Sequence, residues 1–432
     1  MANFLICGLV FWGYAFIKFR KEKILYPSVI FSLMWGAAYL YTAIILNGYG
    51  ENLYLKEYYN FKYIDTYSVY VTIVVLAGFS IAHFLKKSSG RRVNLKMNKT
   101  FINNILLKYK WILWLNFGGG LLRIAIMLNT VGFDSMMDYR LAANAMMMTS
   151  SLSFAGIVFK LTAYIQMLAN FYLALSGLKT GLGHLDLKKV LFLFILYAPN
   201  QMATGGRLFI LYFILFFFGA FIVGRGISIG DKSRRLLENS EKKILFLVFI
   251  GLFLLTGVIA MLRSGSINES KENAFDKLAY VTEGMLCSEY IMRYYPPGTF
   301  QLDKGENTTG TLSKQYLSFR RYLNNTKMSA SVVCIYTRPY LDFGYWGTLA
   351  FLFIIAFLGE YISLRCLKNM TLINFFIFIV ILKMFYESVI ASSVSDNIPN
   401  YELIILFVIF YNMIFGRIES KSRYEQQQKA LD

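Results

Sequence analysis

The chain has few charged residues for its size. Charged residues make up 16% of its 432 residues, against roughly a quarter in an average soluble domain. Apolar residues make up 56% and aromatic residues 17%. A water-soluble fold of this size could not cover so much apolar surface with polar groups. The composition therefore predicts an all-α polytopic membrane protein.

Cysteine and histidine are too scarce for several kinds of site. The four cysteines contain no CxxC pair and give no disulfide scaffold. The two histidines, His83 and His184, lie far apart in the sequence, which argues against a zinc or haem site. We therefore expect no metal and no cofactor. No P-loop or Walker motif is present, so ATP is not expected to drive the activity.

Long apolar runs are abundant, and those close to 20 residues predict about eleven spans of a ~30 Å hydrocarbon core. The predicted spans are 2–17, 25–46, 64–85, 110–129, 152–177, 189–204, 207–224, 244–262, 347–363, 371–390 and 402–416. The first lacks the basic region and cleavage site of a signal peptide. This organisation places eight spans in 1–262, a large loop in 263–346, three spans in 347–416 and a basic tail in 417–432.

Cations are concentrated in alternating connections, which predicts the orientation. Six connections on one side hold 27 of the 44 Lys and Arg residues. They are 18–23, 86–110, 178–189, 225–243, 365–368 and 417–432. The positive-inside rule then places the N-terminus outside and the C-terminus in the cytoplasm. Most of the net charge of +19 is explained by this topology, and no nucleic-acid partner is needed.

The connection 263–346 is predicted to lie outside, and it is long. A loop of more than about 15 residues is usually functional or disordered, and its many tyrosines favour a folded, partly helical cap. Cys287 and Cys334 both lie in it, so a disulfide is permitted there, and the sequence leaves that pairing open.

Three cations fall inside predicted spans, where ionisable groups are costly and are functional candidates. At 1.5 Å per helical residue, Arg123 and Lys383 lie about 18 Å from the cytoplasmic end and Lys160 about 12 Å below the outer end. With Arg207 and Arg263 at the outer mouths of two spans, they form a candidate cationic crown. Snorkelling to the headgroups is the alternative for each. For Lys383, an i,i+4 ion pair with Glu387 is a further one.

Two local features favour an anionic, sugar-bearing substrate at the outer face. The turn Gly205-Gly206-Arg207 opens a helix, whose free N–H groups attract phosphate. Asp342 lies among Tyr336, Arg338 and Tyr340, just before a predicted span. Because both histidines are on or near the cytoplasmic side, a site at the outer face would use a carboxylate as its base or no strong base at all.

The layout resembles the Wzy-type O-antigen or oligosaccharide repeat-unit polymerases of bacterial surface polysaccharide synthesis. The resemblance covers nearly the whole chain: about eleven spans, with a large outer loop before the last three. Two stretches support it locally, the Gly205-Gly206-Arg207 turn and the sequence YTRPYLDFGYWG at 336–347.

The resemblance implies a GT-C-like fold and metal-independent glycosyl transfer on the outer face of the bacterial cytoplasmic (inner) membrane. The substrate would be an oligosaccharide linked to undecaprenyl diphosphate, and a separate chain-length regulator is an expected partner. Arg123, Arg207 and Arg263 would bind the diphosphate, with Arg338 nearby and Asp342 as the base. The remaining implied substrate contacts are Arg140, Lys160, Arg320, Arg321, Tyr336, Tyr340 and Lys383.

Three alternatives remain at this point. An O-antigen ligase has a related fold, but that family uses an outer-loop histidine that this chain lacks. A flippase would bind the same lipid without chemistry, although transporters commonly show internal repeats, which are not visible here. A structural membrane protein, with the basic loop as a docking surface, is the third.

Overall fold

The computed structural model describes residues 2–44, 62–87, 97, 99–131, 154–203, 208–229, 236–264, 292 and 334–389. This part of the chain is almost entirely helical and contains no β-strand. Its longer elements are α1 (Ala2–Glu22), α2 (Pro27–Ile44), α3 (Lys62–Lys87), α4 (Lys99–Lys108), α5 (Trp111–Val131), α6 (Phe154–Gly181), α7 (Leu187–Met202), α8 (Leu208–Phe213), a π-helical segment (Ile214–Gly219), α9 (Ala220–Ile229), α10 (Asn239–Ser264), α11 (Thr337–Lys368) and α12 (Leu372–Glu387).

Within these residues, seven helical stretches are long and apolar enough to cross a membrane. They are Ala2–Glu22, Pro27–Ile44, Asp65–Leu85, Trp111–Asn129, Phe154–Gly181, Ile210–Ile229 and Pro339–Lys368. Large apolar side chains on these helices are exposed, among them Ile6, Phe16 and Ile73. Such surfaces are stable only against lipid. The protein is thus an all-α membrane protein with several spans.

The predicted spans agree with the helices in ten places. Three of them, 189–204, 244–262 and 371–390, coincide with α7, α10 and α12. These three helices are not among the seven stretches above, so their crossing of the membrane remains a prediction. The span predicted at 402–416 lies outside the described residues.

Several helices extend beyond the predicted spans, among them α9, which ends at Ile229, and α10, which begins at Asn239. Two further differences bear on the sites described below. The helix predicted over 2–17 continues to Glu22, because an apolar run ends at its first cation whereas helical hydrogen bonding does not. The helix predicted from 347 begins at Thr337, so the end of the predicted outer loop, including Asp342, is helical.

The chain divides into two compact units. The first unit comprises Met1–Leu95 and Glu272–Glu402, and therefore contains α1–α3, α11 and α12. Its core is aromatic: the ring centroids of Phe31, Phe79 and Phe385, from three different helices, lie 5.6–5.8 Å apart in edge-to-face pairs. Such pairs add about 0.5–1.5 kcal/mol each beyond the area they bury. This packing joins the beginning of the chain to its last described helices, across the predicted division at 262.

The second unit comprises Lys96–Lys271 and Leu403–Asp432 and contains α4–α10. Helix α6, with 28 residues, is its centre and contacts α4, α5, α7, α9 and the π-helical segment. Three consecutive phenylalanines of that segment, 216–218, are buried. The unit therefore packs against one side of this long helix, where Thr162, Gln166, Ser176 and Thr180 of α6 are buried.

Candidate functional site

The first candidate site lies in the first unit, where α11 is broken. Gly344 has φ 68° and ψ −168° inside the stretch Pro339–Lys368. This backbone region is open almost only to glycine, because a Cβ would clash there. The hydroxyl of Thr348 donates to the carbonyl of Gly344, four residues earlier, over 2.7 Å. A short helical piece, 337–343, thus precedes the long one and ends one residue after Asp342.

Asp342 is half-buried and has three exposed aromatic neighbours in the sequence. The exposed fractions are 44% for Phe343, 38% for Tyr345 and 77% for Trp346. Exposed aromatic rings beside such a break can stack on a sugar ring or lie at the membrane interface. The break therefore presents one carboxylate beside a group of exposed rings. These three aromatic residues lie in the stretch 336–347, but none of them was predicted to belong to the site.

The two tyrosines that were predicted to contact substrate lie in the core instead. Tyr336 and Tyr340 are each 2% exposed. The hydroxyl of Tyr340 donates to the carbonyl of Met292 over 2.9 Å. The ring of Tyr336 packs on Trp35, with 5.6 Å between centroids. Both rings pack in the core, and the hydroxyl of Tyr340 forms a buried hydrogen bond. These two tyrosines therefore stabilise the broken helix and do not face a substrate.

Lys383 forms the i,i+4 ion pair with Glu387 that was the alternative to a role in substrate binding. Its ammonium lies 3.4 Å from a carboxylate oxygen of Glu387, one helical turn away on α12. Such an i,i+4 pair is a local contact and does not require a ligand.

The second candidate site lies in the second unit, around Arg123. This side chain is 3% exposed. Its guanidinium donates to the backbone carbonyls of Phe159 on α6 and Asn200 on α7, the latter over 3.4 Å. It also lies 4.8 Å from the centre of the Phe159 ring. Asn200 is in the last turn of α7, where carbonyls lack helical partners and the helix dipole favours a cation. Arg123 therefore connects three helices.

Two buried asparagines continue this polar contact. The Asn200 side-chain amide donates to the side chain of Asn116 and to the carbonyl of Thr162, both over 2.9 Å. Asn116 donates to the carbonyls of Leu196 and Tyr197, both over 3.1 Å. Sequence reasoning missed both asparagines, because it searched the spans for charge alone.

Close helix approach makes these contacts possible. Pro199 removes one backbone donor from α7. A Cβ on Gly120 would lie 2.2 Å from the backbone nitrogen of Asn200, so only glycine fits. The last glycine of the run Gly118-Gly119-Gly120 on α5 is thus explained by helix packing.

Lys160 has a different environment from Arg123. It lies on the exposed face of α6 together with Ile157 and Leu161, which are 51% and 57% exposed. That face is apolar, so its ammonium is expected to snorkel. Within the second unit, Arg123 and Lys160 are not brought together.

The side chains of the other six predicted arginines lie outside the described part of the chain. Arg140, Arg207, Arg320 and Arg321 lie outside the described residues. Arg263 and Arg338 belong to α10 and α11, but their side chains are not among those described. The cationic crown therefore remains a prediction.

A buried ion pair in the first unit was missed by the sequence analysis. The Lys18 ammonium on α1 lies 2.5 Å from a carboxylate oxygen of Glu360 on α11, and the two residues are 8% and 0% exposed. Glu360 also accepts from the backbone N–H and the hydroxyl of Ser28 over 3.1 and 3.0 Å. A carboxylate within the predicted span 347–363 was the signal that could have found it.

His83 lies beside this pair, between two carboxylates. Its ring nitrogens lie 3.5 Å from Glu22 and 4.0 Å from Glu360. The Lys18 ammonium also reaches the hydroxyl of Ser28 over 2.7 Å. These contacts join the ends of α1 and α3 to the start of α2 and to α11.

A second buried ion pair joins two helices of the second unit. Arg225 on α9 donates to the carboxylate of Glu241 and, over 2.7 Å, to the carbonyl of Gly183. Glu241 precedes the predicted span 244–262. Burial raises the pKa of its carboxyl, but the hydrogen bonds from Arg225 and from the Glu238 N–H outweigh it, so the pKa lies below its ordinary value of 4.5.

The described residues contain no group of three or more His, Cys, Asp or Glu side chains that could hold a metal ion. Comparison with protein-family models, with curated proteins and with solved structures gives no match.

Proposed function

We propose that this protein joins lipid-linked oligosaccharide repeat units into a surface polysaccharide on the outer face of the bacterial cytoplasmic membrane. The proposal rests on the family resemblance of the sequence and on one structural observation. That observation is the break in α11 at Gly344, which exposes aromatic rings beside the half-buried Asp342. Interrupted helices form binding sites in membrane transporters, and irregular backbone in membrane proteins is found where it is buried or lines a cavity.

The chemistry that this arrangement supports is glycosyl transfer without a metal. An acceptor hydroxyl oxygen attacks the anomeric carbon of the growing glycan, and the bond from that carbon to the diphosphate breaks. Asp342 receives the hydroxyl proton as general base. Undecaprenyl diphosphate leaves with the bonding electrons, and arginines stabilise its developing charge. Phe343 and Trp346 would stack on the sugar rings, whereas Tyr345 packs against Tyr67 and Tyr340.

The predicted arginines have two different roles in this proposal. Arg207 and Arg263 remain the proposed diphosphate ligands, and Arg338 remains a proposed residue nearby. Arg123 instead holds α5, α6 and α7 together through backbone carbonyls, so in this proposal it positions the second unit and does not touch the diphosphate.

The test is Asp342→Asn, which removes the base and keeps the size of the side chain. The matched control is Glu238→Gln, the same carboxylate-to-amide change at an exposed residue. At equal protein level in the membrane, we expect Asp342→Asn to abolish the ladder of long surface glycan and Glu238→Gln to leave it intact. A normal ladder with Asp342→Asn would contradict the role of this carboxylate.

A further inference from the structure

Three lysines surround the short loop 182–186 that joins α6 to α7. Lys179 lies in the last turn of α6, Lys189 in the first turn of α7, and Lys99 at the start of α4. The Lys99 ammonium lies 2.9 Å from the position that a Cβ of Gly183 would occupy, so it rests against the loop backbone. The charges of Lys99 and Lys179 act on each other, and both act on Lys189. We call these three residues the lysine cluster.

Helix packing fixes the cluster. Helix α4 packs against α6 through buried residues that include Ile105 and Leu106, and the hydroxyl of Tyr172 on α6 donates to the carbonyl of Leu106 over 2.9 Å. Lys179 donates to the side chain of Asn103, which lies one turn after Lys99 on the same side of α4. The lysines are therefore brought together by the fold of the second unit.

The positive charge of the cluster exceeds the negative charge beside it. Arg225 also contacts this loop, but Glu241 neutralises it. Asp186 attracts Lys189, and it accepts a hydrogen bond from the Lys188 N–H as the N-cap of α7. Among the described residues, one exposed carboxylate thus faces three ammonium groups. Like charges held this close repel each other, and an anion between them would lower the free energy.

The cluster lies at the level where lipid headgroups are expected. The candidate span of α6 ends at Gly181, and that of α5 begins at Trp111, shortly after α4. Lys179 lies 17 residues along α6 from Thr162, which is about 25 Å at 1.5 Å per residue. The cluster is therefore at the opposite end of α6 from the contacts of Arg123, and the sequence predicts that this end is cytoplasmic.

We propose that the lysine cluster binds a phosphate group. Ammonium groups are compact point charges that suit phosphate, and basic sites between helices at the cytoplasmic surface bind anionic headgroups. The position of the cluster favours the phosphate of a membrane lipid as the source, with a soluble phosphate compound as the other source of the same chemistry. The site does not depend on the proposed polymerase activity.

The test compares two variants that remove the same charge. The first replaces the cluster, with Lys99→Gln, Lys179→Gln and Lys189→Gln. The second, a control, replaces three exposed lysines outside the cluster, with Lys110→Gln, Lys242→Gln and Lys243→Gln. The purified full chain is placed in nanodiscs of phosphatidylcholine with increasing phosphatidylglycerol, and bound phosphatidylglycerol is counted by native mass spectrometry. Inorganic pyrophosphate is titrated separately.

We expect the cluster variant to bind phosphatidylglycerol roughly 100-fold more weakly than the wild type, since each ammonium that contacts the phosphate directly contributes several-fold. The control variant should bind like the wild type. Because the three-fold variant could also lose its fold, Lys99→Gln alone, at an exposed position, should weaken binding about five-fold.

Each outcome decides the proposal. Lipid binding without pyrophosphate binding identifies a headgroup site, whereas pyrophosphate binding that the cluster variant loses identifies a site for soluble phosphate compounds. Equal losses in the cluster and control variants would mean general charge attraction and would overturn the proposal. Failure of the wild type to bind either probe would also overturn it.

Discussion

In the first unit the buried ammonium of Lys18 contacts the carboxylate of Glu360, whereas in the second unit the buried guanidinium of Arg123 contacts backbone carbonyls of α6 and α7. This difference determines whether a second substitution can offset the loss of the cation. A carboxylate can be removed together with its cation, and an apolar pair can replace both. A backbone carbonyl cannot be removed. The loss of Arg123 should therefore be harder to offset with a second substitution than the loss of Lys18.

The largest expected effect comes from breaking the pair in the first unit. Lys18→Met leaves Glu360 buried without its cation and should lower the free energy of unfolding by about 3–5 kcal/mol. The double variant with Lys18→Met and Glu360→Met should regain most of the lost free energy of unfolding. Unfolding of the purified protein in mixed micelles measures both variants. Lys21→Met, at an exposed position of the same helix, is the control and should change stability by under about 0.5 kcal/mol.

Additive effects of Lys18→Met and Glu360→Met would contradict this account of the first unit. The coupling free energy between the two residues is therefore the decisive quantity.

A smaller loss is expected from Arg123→Met. It leaves the buried carbonyl of Asn200 without this donor, whereas the carbonyl of Phe159 still accepts from the hydroxyl of Thr162. Unfolding should therefore cost about 1–3 kcal/mol less. If Arg123 acts through packing, any loss of polymer should match the loss of folded protein in the membrane, as measured by blotting. Loss of polymer at an unchanged protein level would instead assign Arg123 to the diphosphate.

Gly344→Ala tests the break in α11. A Cβ is strained at φ 68°, at a cost of about 1–3 kcal/mol, and relief of that strain would shift Asp342. We expect lower stability and a shorter glycan ladder. Gly13→Ala is the matched control, because a Cβ at Gly13 meets nothing within 4 Å. An unchanged ladder with Gly344→Ala would show that the broken backbone is not required.

The smallest expected effect concerns Glu241. Because its folded-state pKa lies below 4.5, its stabilising contribution is present above the unfolded pKa and is lost as the pH falls through the folded one. Glu241→Gln should therefore cost about 1–2 kcal/mol at neutral pH, and the difference from wild type should shrink below pH 4.5. A difference that stays constant over this range would contradict the pairing with Arg225.

The sequence was sufficient for the membrane class and for the position of most helices, because apolar runs record which segments must face lipid. It was not sufficient for the side-chain partners. Arg123 was predicted at a buried depth, but its contacts depend on the close approach at Gly120 and on Pro199 in α7. Tyr340 could equally line a binding surface or a core, since an aromatic ring with a hydroxyl suits both. Lys18 was missed because it follows the apolar run that marked the first span.

The most direct test of the proposed function is deletion of the gene in its native strain, followed by gel electrophoresis of the surface glycan. The account predicts a single repeat unit attached to its normal anchor and no ladder, restored by the wild-type chain but not by Asp342→Asn. Complete loss of surface glycan with lipid-linked units trapped inside would indicate a flippase, and unattached long polymer would indicate a ligase. An unchanged ladder would contradict the proposed function altogether.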